Sequence, residues 1–171
     1  MAGLVVLLCK KGADPQLKDI CGRSPIFYAI QGGSQYVLEE LLERCDPKEY
    51  LNIRDKFGSS PLGYAVTKRY LHLVEFLLDQ DGIDVNLRDN DGRTPLHLVL
   101  ETGRLDLEKR LLDHLDVDVN SKDDRGRTPL HGAVKTLLTH SDIDPNAKDR
   151  HGKTPLHLAV DTNQADFARL L

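Results

Sequence analysis

The chain has 171 residues, 40% of them apolar, and its 23 Lys and Arg against 27 Asp and Glu leave a formal net charge of −4. The apolar content suffices for a packed core, while the acidic balance argues against nucleic acid as the main partner, because a phosphate backbone attracts an excess of positive charge. Three cysteines, without CxxC spacing, argue against a disulfide framework and a zinc site, so we expect an intracellular location, cytoplasmic or nuclear.

The first apolar stretch, Leu4 to Leu8, precedes the turns described below. It is much shorter than a membrane span, and no basic residue precedes it as in a signal peptide. We therefore predict no membrane insertion. The stretch is better interpreted as the second helix of a repeat that ends near Lys10 to Asp14.

From residue 19 onward one pattern recurs: an aspartate, two free positions, a glycine, one free position, Ser or Thr, proline and an apolar residue. The five copies occupy residues 19–26, 55–62, 89–96, 123–130 and 149–156. Their glycines lie 36, 34, 34 and 26 residues apart. A period of this length is typical of a stacked array, so the function is to be sought on a surface and not in a buried active site.

Each residue type in the pattern has a structural role. The aspartate and glycine favour a tight turn, because the Asp side chain bonds backbone N–H groups ahead of it and glycine tolerates positive φ. Ser or Thr followed by proline predicts the N-cap and first residue of a helix. A second helix follows, as in Leu71, Val74 and Leu78, which recur at helical spacing.

These residues resemble the ankyrin repeat family, whose signature is a Thr-Pro-Leu-His run after a glycine-bearing turn. Residues 94–97, 128–131 and 154–157 match it in full, and residues 24–27 and 60–63 match it in part. The resemblance covers nearly the whole chain. It implies an all-α solenoid of helix-turn-helix repeats with β-hairpin-like loops, acting as a protein–protein interaction scaffold or adaptor and not as an enzyme.

We predict a single ankyrin array over residues 1–171. Its expected parts are a half repeat 1–18, repeats 19–54, 55–88 and 89–122, a shortened repeat 123–148 and a truncated repeat 149–171. Both ends should then expose apolar faces. Three interpretations stay open: a regulatory or other fragment of a longer ankyrin-containing protein, a structural segment that self-associates or is covered by a partner through these open ends, and simple fraying.

The fourth repeat lacks the equivalents of residues 101–108. Two alternatives stay open: a genuine deletion, or residues missing between Val134 and Lys135. If the bond is real, the apolar residues from Leu130 to Leu138 fall at helical spacing, which predicts one continuous amphipathic helix instead of a helical hairpin.

No residues in the sequence form a recognisable catalytic, cofactor-binding or metal-binding constellation, and we expect no cofactor. His97, His131 and His157 recur at repeat spacing, each three positions after a capping threonine. There the imidazole can bond back toward the cap, as a capping-box Glu does, so we predict a structural role.

The expected binding surface follows from the resemblance, since ankyrin arrays grip partners with their hairpin tips and the exposed face of the first helix of each repeat. A basic column of Arg23, Arg93, Arg127 and Lys153 is expected along the tips, with Phe57 as an apolar anchor. We hypothesise an acidic or mixed protein partner. The predicted partner-binding residues, here called the tip surface, are Arg23, Lys56, Phe57, Lys68, Arg93, Glu101, Arg125, Arg127, Arg150 and Lys153.

Two departures from the pattern concern stability. Glu108 and Arg110 stand where the preceding repeat has Val74 and Phe76, which predicts a soft point in the array. Arg69 stands where other repeats have glycine between their two helices, which predicts backbone strain.

Overall fold

The computed structural model describes residues 2–43, 50–132 and 137–161. These residues form helices, turns and irregular connections, with no strand among them, so the predicted all-α fold is confirmed. In chain order the helices are α1 (Ala2–Lys10), α2 (Pro25–Gln31), α3 (Gln35–Leu42), α4 (Pro61–Lys68), α5 (Leu71–Leu78), α6 (Pro95–Thr102), α7 (Leu105–Leu112), α8 (Pro129–Gly132), a 3₁₀ turn (Leu137–Thr139) and α9 (Pro155–Asp161).

The first helix of each repeat begins at the proline of the recurring pattern, as predicted. Ser60 caps α4 by accepting the Gly63 N–H at 3.1 Å. Ser24 is the exception, because its buried hydroxyl has no hydrogen-bond partner within the described residues. At the third position of α2, where three later repeats place histidine, Phe27 stands and offers no ring nitrogen to the cap.

The repeats stack in two layers of helices. The first helices α2, α4, α6, α8 and α9 pack side by side, and the second helices α1, α3, α5 and α7 form the other layer. The core lies between the layers and is supplied by every central repeat; its fully buried side chains include Ile26, Phe27, Ile30, Leu38, Leu62, Leu73, Leu77, Leu96, Leu107 and Leu111. Because each apolar face is covered by the next repeat, stability depends on the contacts between neighbours.

An asparagine bridge joins the loops of successive repeats, a feature that sequence analysis did not anticipate. The Asn86 side chain donates to the Asp116 carbonyl at 2.7 Å and accepts the Asp118 N–H at 2.9 Å. Asn52 and Asn120 make the equivalent pairs of bonds. The bridges satisfy backbone groups in loops that have no ladder partner of their own.

We expect Asn86→Ala to lower the free energy of unfolding by about 1–2 kcal/mol, because two hydrogen bonds to backbone groups are lost. Urea unfolding of the two proteins measures the difference. Asn146→Ala is the matched control, since Asn146 is exposed and its side chain makes no hydrogen bond within the described residues. Equal losses for the two variants would contradict the bridging role.

The positive φ expected at Arg69 is confirmed. Arg69 ends α4 in the left-handed conformation, with φ 61° and ψ 31°, while Gly103 holds the equivalent position after α6 with φ 66°. Arg69 is the only non-glycine residue with positive φ in the described part of the chain.

Arg69→Gly should therefore be more stable than Arg69→Ala by roughly 0.5–1 kcal/mol, because only glycine occupies this conformation without a Cβ clash. The alanine variant keeps the Cβ and controls for loss of the long side chain. Thermal unfolding of both variants tests this, and equal midpoints would contradict it.

The predicted site of low stability in α7 contains a buried carboxyl group. The Glu108 side chain is buried, with 1% of the residue exposed, at the helical position that Leu38 and Val74 hold in the two preceding repeats. Arg110 instead reaches solvent and pairs with Asp79 of the preceding repeat. Burial raises the pKa of the Glu108 carboxyl to about 7.

The shortened fourth repeat is described only in part. Helix α8 is short, and Leu137–Thr139 form a 3₁₀ turn, so the predicted continuous α-helix does not extend over Leu137 and Leu138. A 3₁₀ turn has three residues per turn, so Leu137 and Leu138 do not follow the α-helical spacing on which the prediction rested. Residues 133–136, on which the two alternatives for this repeat depend, and the predicted second helix of the last repeat lie outside the described residues.

None of the described helices combines the length and the apolar character needed to cross a membrane.

Candidate functional site

Each hairpin tip is closed by its own aspartate, as predicted. Asp89 Oδ1 accepts the N–H groups of Asp91 and Arg93, both at 2.9 Å, while Gly92 adopts φ 75°. The other four turns repeat this arrangement with Asp19, Asp55, Asp123 and Asp149. The tip side chains therefore project from a backbone that is held in one conformation.

Successive tips are also bonded to one another. The Asn90 N–H donates to the Phe57 carbonyl at 3.0 Å, and the Asp124 N–H donates to the Asp91 carbonyl at 3.0 Å. Lys56 and Arg150 donate in the same way to Cys21 and Arg125. This series of backbone bonds fixes the spacing of the tip side chains, which is the preorganisation that lowers the entropic cost of binding.

The four cations of the expected basic column are present along the tips, but each pairs with a carboxylate of the same chain. The partners are Asp55 for Arg23, Asp123 for Arg127, Asp161 for Lys153, and Asp89, Asp91 and Glu101 for Arg93. Their charges are therefore largely balanced within the protein. The sequence pattern does not reveal these pairs. Asp55 belongs to the next repeat, and Glu101 and Asp161 belong to the following helices. The pairs within one turn depend on side-chain rotamers.

The buried carboxylates in these pairs also order the turns. Burial by itself raises the pKa of Asp123, but hydrogen bonds from the backbone and guanidinium of Arg127 outweigh it, and the net pKa is lowered. Arg127 donates from Nε at 2.9 Å and from Nη2 at 2.8 Å to the same oxygen of Asp123. These bonds assign Arg127 a structural part in its own turn.

Four other cations of the tip surface are exposed and form no ion pair within the described residues. They are Lys56, Lys68, Arg125 and Arg150. An exposed cation without an ion pair can bind a partner carboxylate without breaking an existing interaction, whereas a paired cation must first break its ion pair. These four are therefore the more available charges for recognition.

An aromatic and cationic cluster forms where the first two tips meet α4. Phe57 is 60% exposed at its tip. The Arg23 guanidinium lies 5.8 Å from the centre of the Phe57 ring and 5.0 Å from that of Tyr64, and the Lys68 ammonium lies 5.2 Å from the Tyr64 ring. Such distances are typical of cation–π contacts. Aromatic and arginine side chains held together in this way are characteristic of binding hot spots.

Tyr64 was missed in the sequence, although it is the residue that joins Arg23 and Lys68. It packs edge-on against Phe27 at 5.6 Å between ring centres and is only 8% exposed. The available signal was its place on α4, next to a tip that carries an exposed Phe.

The recurring histidines cap helices, as predicted. The Thr94 N–H donates to His97 Nδ1 at 3.2 Å, so the neutral ring carries its proton on Nε2, which donates to the Arg127 carbonyl of the next repeat at 3.1 Å. His131 makes the same two bonds, and His157 makes the bond to its cap. Burial lowers the pKa of His97, which keeps the ring neutral. The described residues contain no group of three or more His, Cys, Asp or Glu that could hold a metal ion.

The N-terminal end of the array presents an apolar face, as expected. Leu4, Leu7 and Leu8 of α1 are each at least half exposed. Beside α1 an apolar groove of about 540 Å³ runs along α2 and α3, lined by Val5, Pro25, Tyr28, Ala29, Gly32, Ser34, Val37 and Leu41. In the next repeats the equivalent face of the first helix is covered by a neighbouring first helix.

Comparisons with known proteins agree with this geometry. A family model described as ankyrin repeats (3 copies) matches residues 1–89, one described as ankyrin repeats (many copies) matches residues 77–133, and one described as ankyrin repeat matches residues 151–171. Human rabankyrin-5 is 36% identical over 66 residues, which are 39% of this chain and 6% of that protein. The chain thus spans only a small part of that relative's length.

A solved structure is similar over almost the whole chain. The crystal structure of the ankyrin repeat domain of Bcl-3, described as a unique member of the IκB protein family, superposes with a TM-score of 0.86 and 30% sequence identity. The match covers 99% of this chain and 77% of that one.

Proposed function

The chain belongs to the ankyrin repeat family, whose repeats generally mediate protein–protein interaction, and from this premise we propose that it is a scaffold or adaptor module that binds a partner protein through its tip surface. The proposal treats residues 1–171 as one array. The observation that carries it is the rigid display of exposed Phe57 among cations, because preorganised aromatic groups are the usual anchors of protein interfaces.

Within the tip surface the residues have different roles. Phe57 is the anchor, and the unpaired cations Lys56, Lys68, Arg125 and Arg150 supply charge for the partner. The remaining residues form ion pairs that order the surface; they are Arg23, Arg93, Glu101, Arg127 and Lys153. They contact the partner with the hydrogen-bond donors and acceptors that these ion pairs leave free. Ankyrin repeat proteins are typically non-enzymatic interaction modules, so the chain's chemistry is recognition and requires no cofactor.

The proposal is tested by affinity capture from cell lysate, followed by affinity measurement with the captured protein. A variant that combines Phe57→Ala with Arg125→Glu should bind that protein at least tenfold more weakly, because the variant loses an aromatic anchor and places a repulsive charge in the surface. Phe57 and Arg125 are both exposed, so the variant should fold normally.

The matched control is Lys109→Ala, which removes an exposed side chain from the second-helix layer, away from the tips. It should bind as the wild-type protein does. If the tip variant retains full affinity while the captured protein still binds the wild type, the assignment of the tip surface is wrong.

Self-association is the second candidate function, favoured by the exposed leucines of α1 and the groove beside it. An apolar face of this kind gains free energy when it is covered. Sedimentation velocity over a range of concentrations should then show a dimer or larger assembly that Leu4→Glu disrupts. A monomer at all concentrations would exclude this role.

A further inference from the structure

The tip surface carries opposite charges on two neighbouring repeats. Lys56 is next to Phe57 in the chain, and the Lys68 ammonium lies 5.2 Å from the ring of Tyr64, which shares the Arg23 guanidinium with Phe57. Both lysines are exposed and form no ion pair within the described residues, so the unpaired charges here are positive. The Asp55 carboxylate beside them is buried and taken up by Arg23. This part of the tip surface, here called the positive arm, is therefore net positive and contains the apolar ring of Phe57.

The next repeat is net negative at the equivalent place. The Arg93 guanidinium there meets three carboxylates, those of Asp89, Asp91 and Glu101, at 2.9, 2.9 and 3.4 Å. One cation cannot balance three carboxylates. The side chains of Asp91 and Glu101 remain 74% and 58% exposed, so their excess negative charge faces solvent on the binding side.

The two arms are held in a fixed relation. The Asn90 N–H of the negative tip donates to the Phe57 carbonyl at 3.0 Å, and the Asn90 side chain donates to the Lys56 carbonyl at 2.7 Å. Helices α4 and α6, which carry Lys68 and Glu101, pack directly against each other. Packed helices lie about 8–10 Å apart, a distance that an extended chain covers in about three residues.

We propose, building on the protein-binding function above, that the tip surface recognises an extended protein segment with three features. An acidic residue stands next to an apolar residue, and a Lys or Arg lies about three positions away from the acidic residue. The acidic side chain meets Lys56 and Lys68, the apolar side chain covers the Phe57 ring, and the basic side chain meets Asp91 and Glu101. In a segment whose acidic and basic residues are not separated, a side chain would face residues of its own charge, either Lys56 and Lys68 or Asp91 and Glu101. This repulsion provides the specificity.

The experiment is selection of random linear peptides displayed on phage against the intact chain. Peptides recovered with the wild-type protein should share the acidic, apolar and basic pattern at this spacing. A synthetic copy of the most enriched peptide should bind at least tenfold more weakly to Lys56→Glu/Lys68→Glu, and again to Asp91→Lys/Glu101→Lys. A peptide with its acidic and basic residues exchanged should bind the wild type at least tenfold more weakly than the original does.

Two controls keep the outcomes distinct. Lys109→Glu and Glu75→Lys make the same kinds of charge change at exposed positions of α7 and α5, and both should bind the peptide as the wild type does. Milder Lys→Gln changes at 56 and 68 should give a smaller loss in the same direction, and melting curves show whether each variant is folded.

Several results would overturn the inference. If the recovered peptides lack the charge pattern but lose binding with Phe57→Ala, the inference is wrong and the proposed binding surface stands. If they bind equally to every tip variant, the inference and the surface assignment are both wrong. Recovery of no peptide also overturns the inference, while the protein-capture experiment still judges the proposed function.

Discussion

Replacing Gly92 by alanine is expected to lower the free energy of unfolding by about 3 kcal/mol or more, whereas the same change at Gly152 should lower it by about 1 kcal/mol. The two glycines have nearly the same backbone conformation, with φ 75° and 73°. They differ in their surroundings. A Cβ on Gly92 would lie 2.7 Å from the Asp124 backbone nitrogen, while a Cβ on Gly152 would meet nothing within 4 Å.

The difference between the two glycines isolates the contact between tips. The Asp124 nitrogen cannot move away from a Cβ without weakening its bond to the Asp91 carbonyl, which joins the third and fourth tips at 3.0 Å. At Gly152 the only cost of adding a Cβ is conformational, because a left-handed φ is unfavourable for any residue with a side chain. The excess loss at Gly92, about 2 kcal/mol, therefore measures how tightly consecutive turns are packed.

Urea unfolding of both variants provides the measurement, and the remaining turns extend it to a series. Gly58 should behave as Gly92 does, since its Cβ would lie 2.6 Å from the Asn90 nitrogen, while Gly126 should be intermediate with 3.0 Å to the Arg150 nitrogen. Equal losses at Gly92 and Gly152 would show that the turns are held by their own conformation alone.

Glu108→Val is expected to stabilise the protein by about 2 kcal/mol near pH 8, because it replaces a buried carboxylate with the apolar residue found at the equivalent position of α5. Chemical unfolding at this pH gives the change directly. Glu75→Val is the matched control, since Glu75 is exposed on α5 and gains no burial from the same substitution. A loss of stability in Glu108→Val would contradict this reading of the site.

The same carboxyl should make stability depend on pH in a defined window. The pKa of Glu108 is raised from 4.5 to about 7 in the folded protein, so the folded state binds the proton more tightly than the unfolded state. Stability from this group is then fully present below pH 4.5 and is lost as pH rises through 7. The loss should be about 3 kcal/mol.

Comparison with Glu108→Gln separates this effect from the other titrating groups. His97 acts in the opposite direction, because its lowered pKa means that stability is lost as pH falls below the ordinary histidine value of 6.5. That contribution is common to both proteins and cancels in the difference. The wild type should therefore lose stability relative to the Gln variant between about pH 4.5 and 7, and a constant difference would refute the raised pKa.

The five turns and the starts of the first helices could be predicted because their determinants are local. The aspartate of each turn bonds N–H groups two and four residues ahead, and the proline starts the next helix. His97 reaches a cap only three residues away, so its role also followed from spacing. Arg69 could be identified as strained because the need for positive φ belongs to one residue.

The binding surface could be predicted only in outline. The positions of Phe57 and the tip cations follow from the repeat, but the state of their charges does not. Arg23 bonds an aspartate 32 residues further along the chain, and Arg93 bonds Glu101 on the following helix as well as two residues of its own turn. The pairs of Arg93 depend on which side-chain rotamers fit together within one repeat, and the pair of Arg23 also depends on how neighbouring repeats stack.

The sequence by itself determined the repeat, its turn chemistry, its helix starts and its family, since each of these depends on interactions within a few residues. Only the tertiary structure decided which tip cations are balanced, how Tyr64 joins Arg23 to Lys68, where asparagines bridge the loops, and how deeply Glu108 is buried. The physical reason is that contacts such as Arg23 with Asp55 and the asparagine bridges join repeats about 30 residues apart in the chain, so stacking sets them. Pairs within one repeat, such as Arg127 with Asp123, depend on side-chain rotamers that the sequence pattern does not specify.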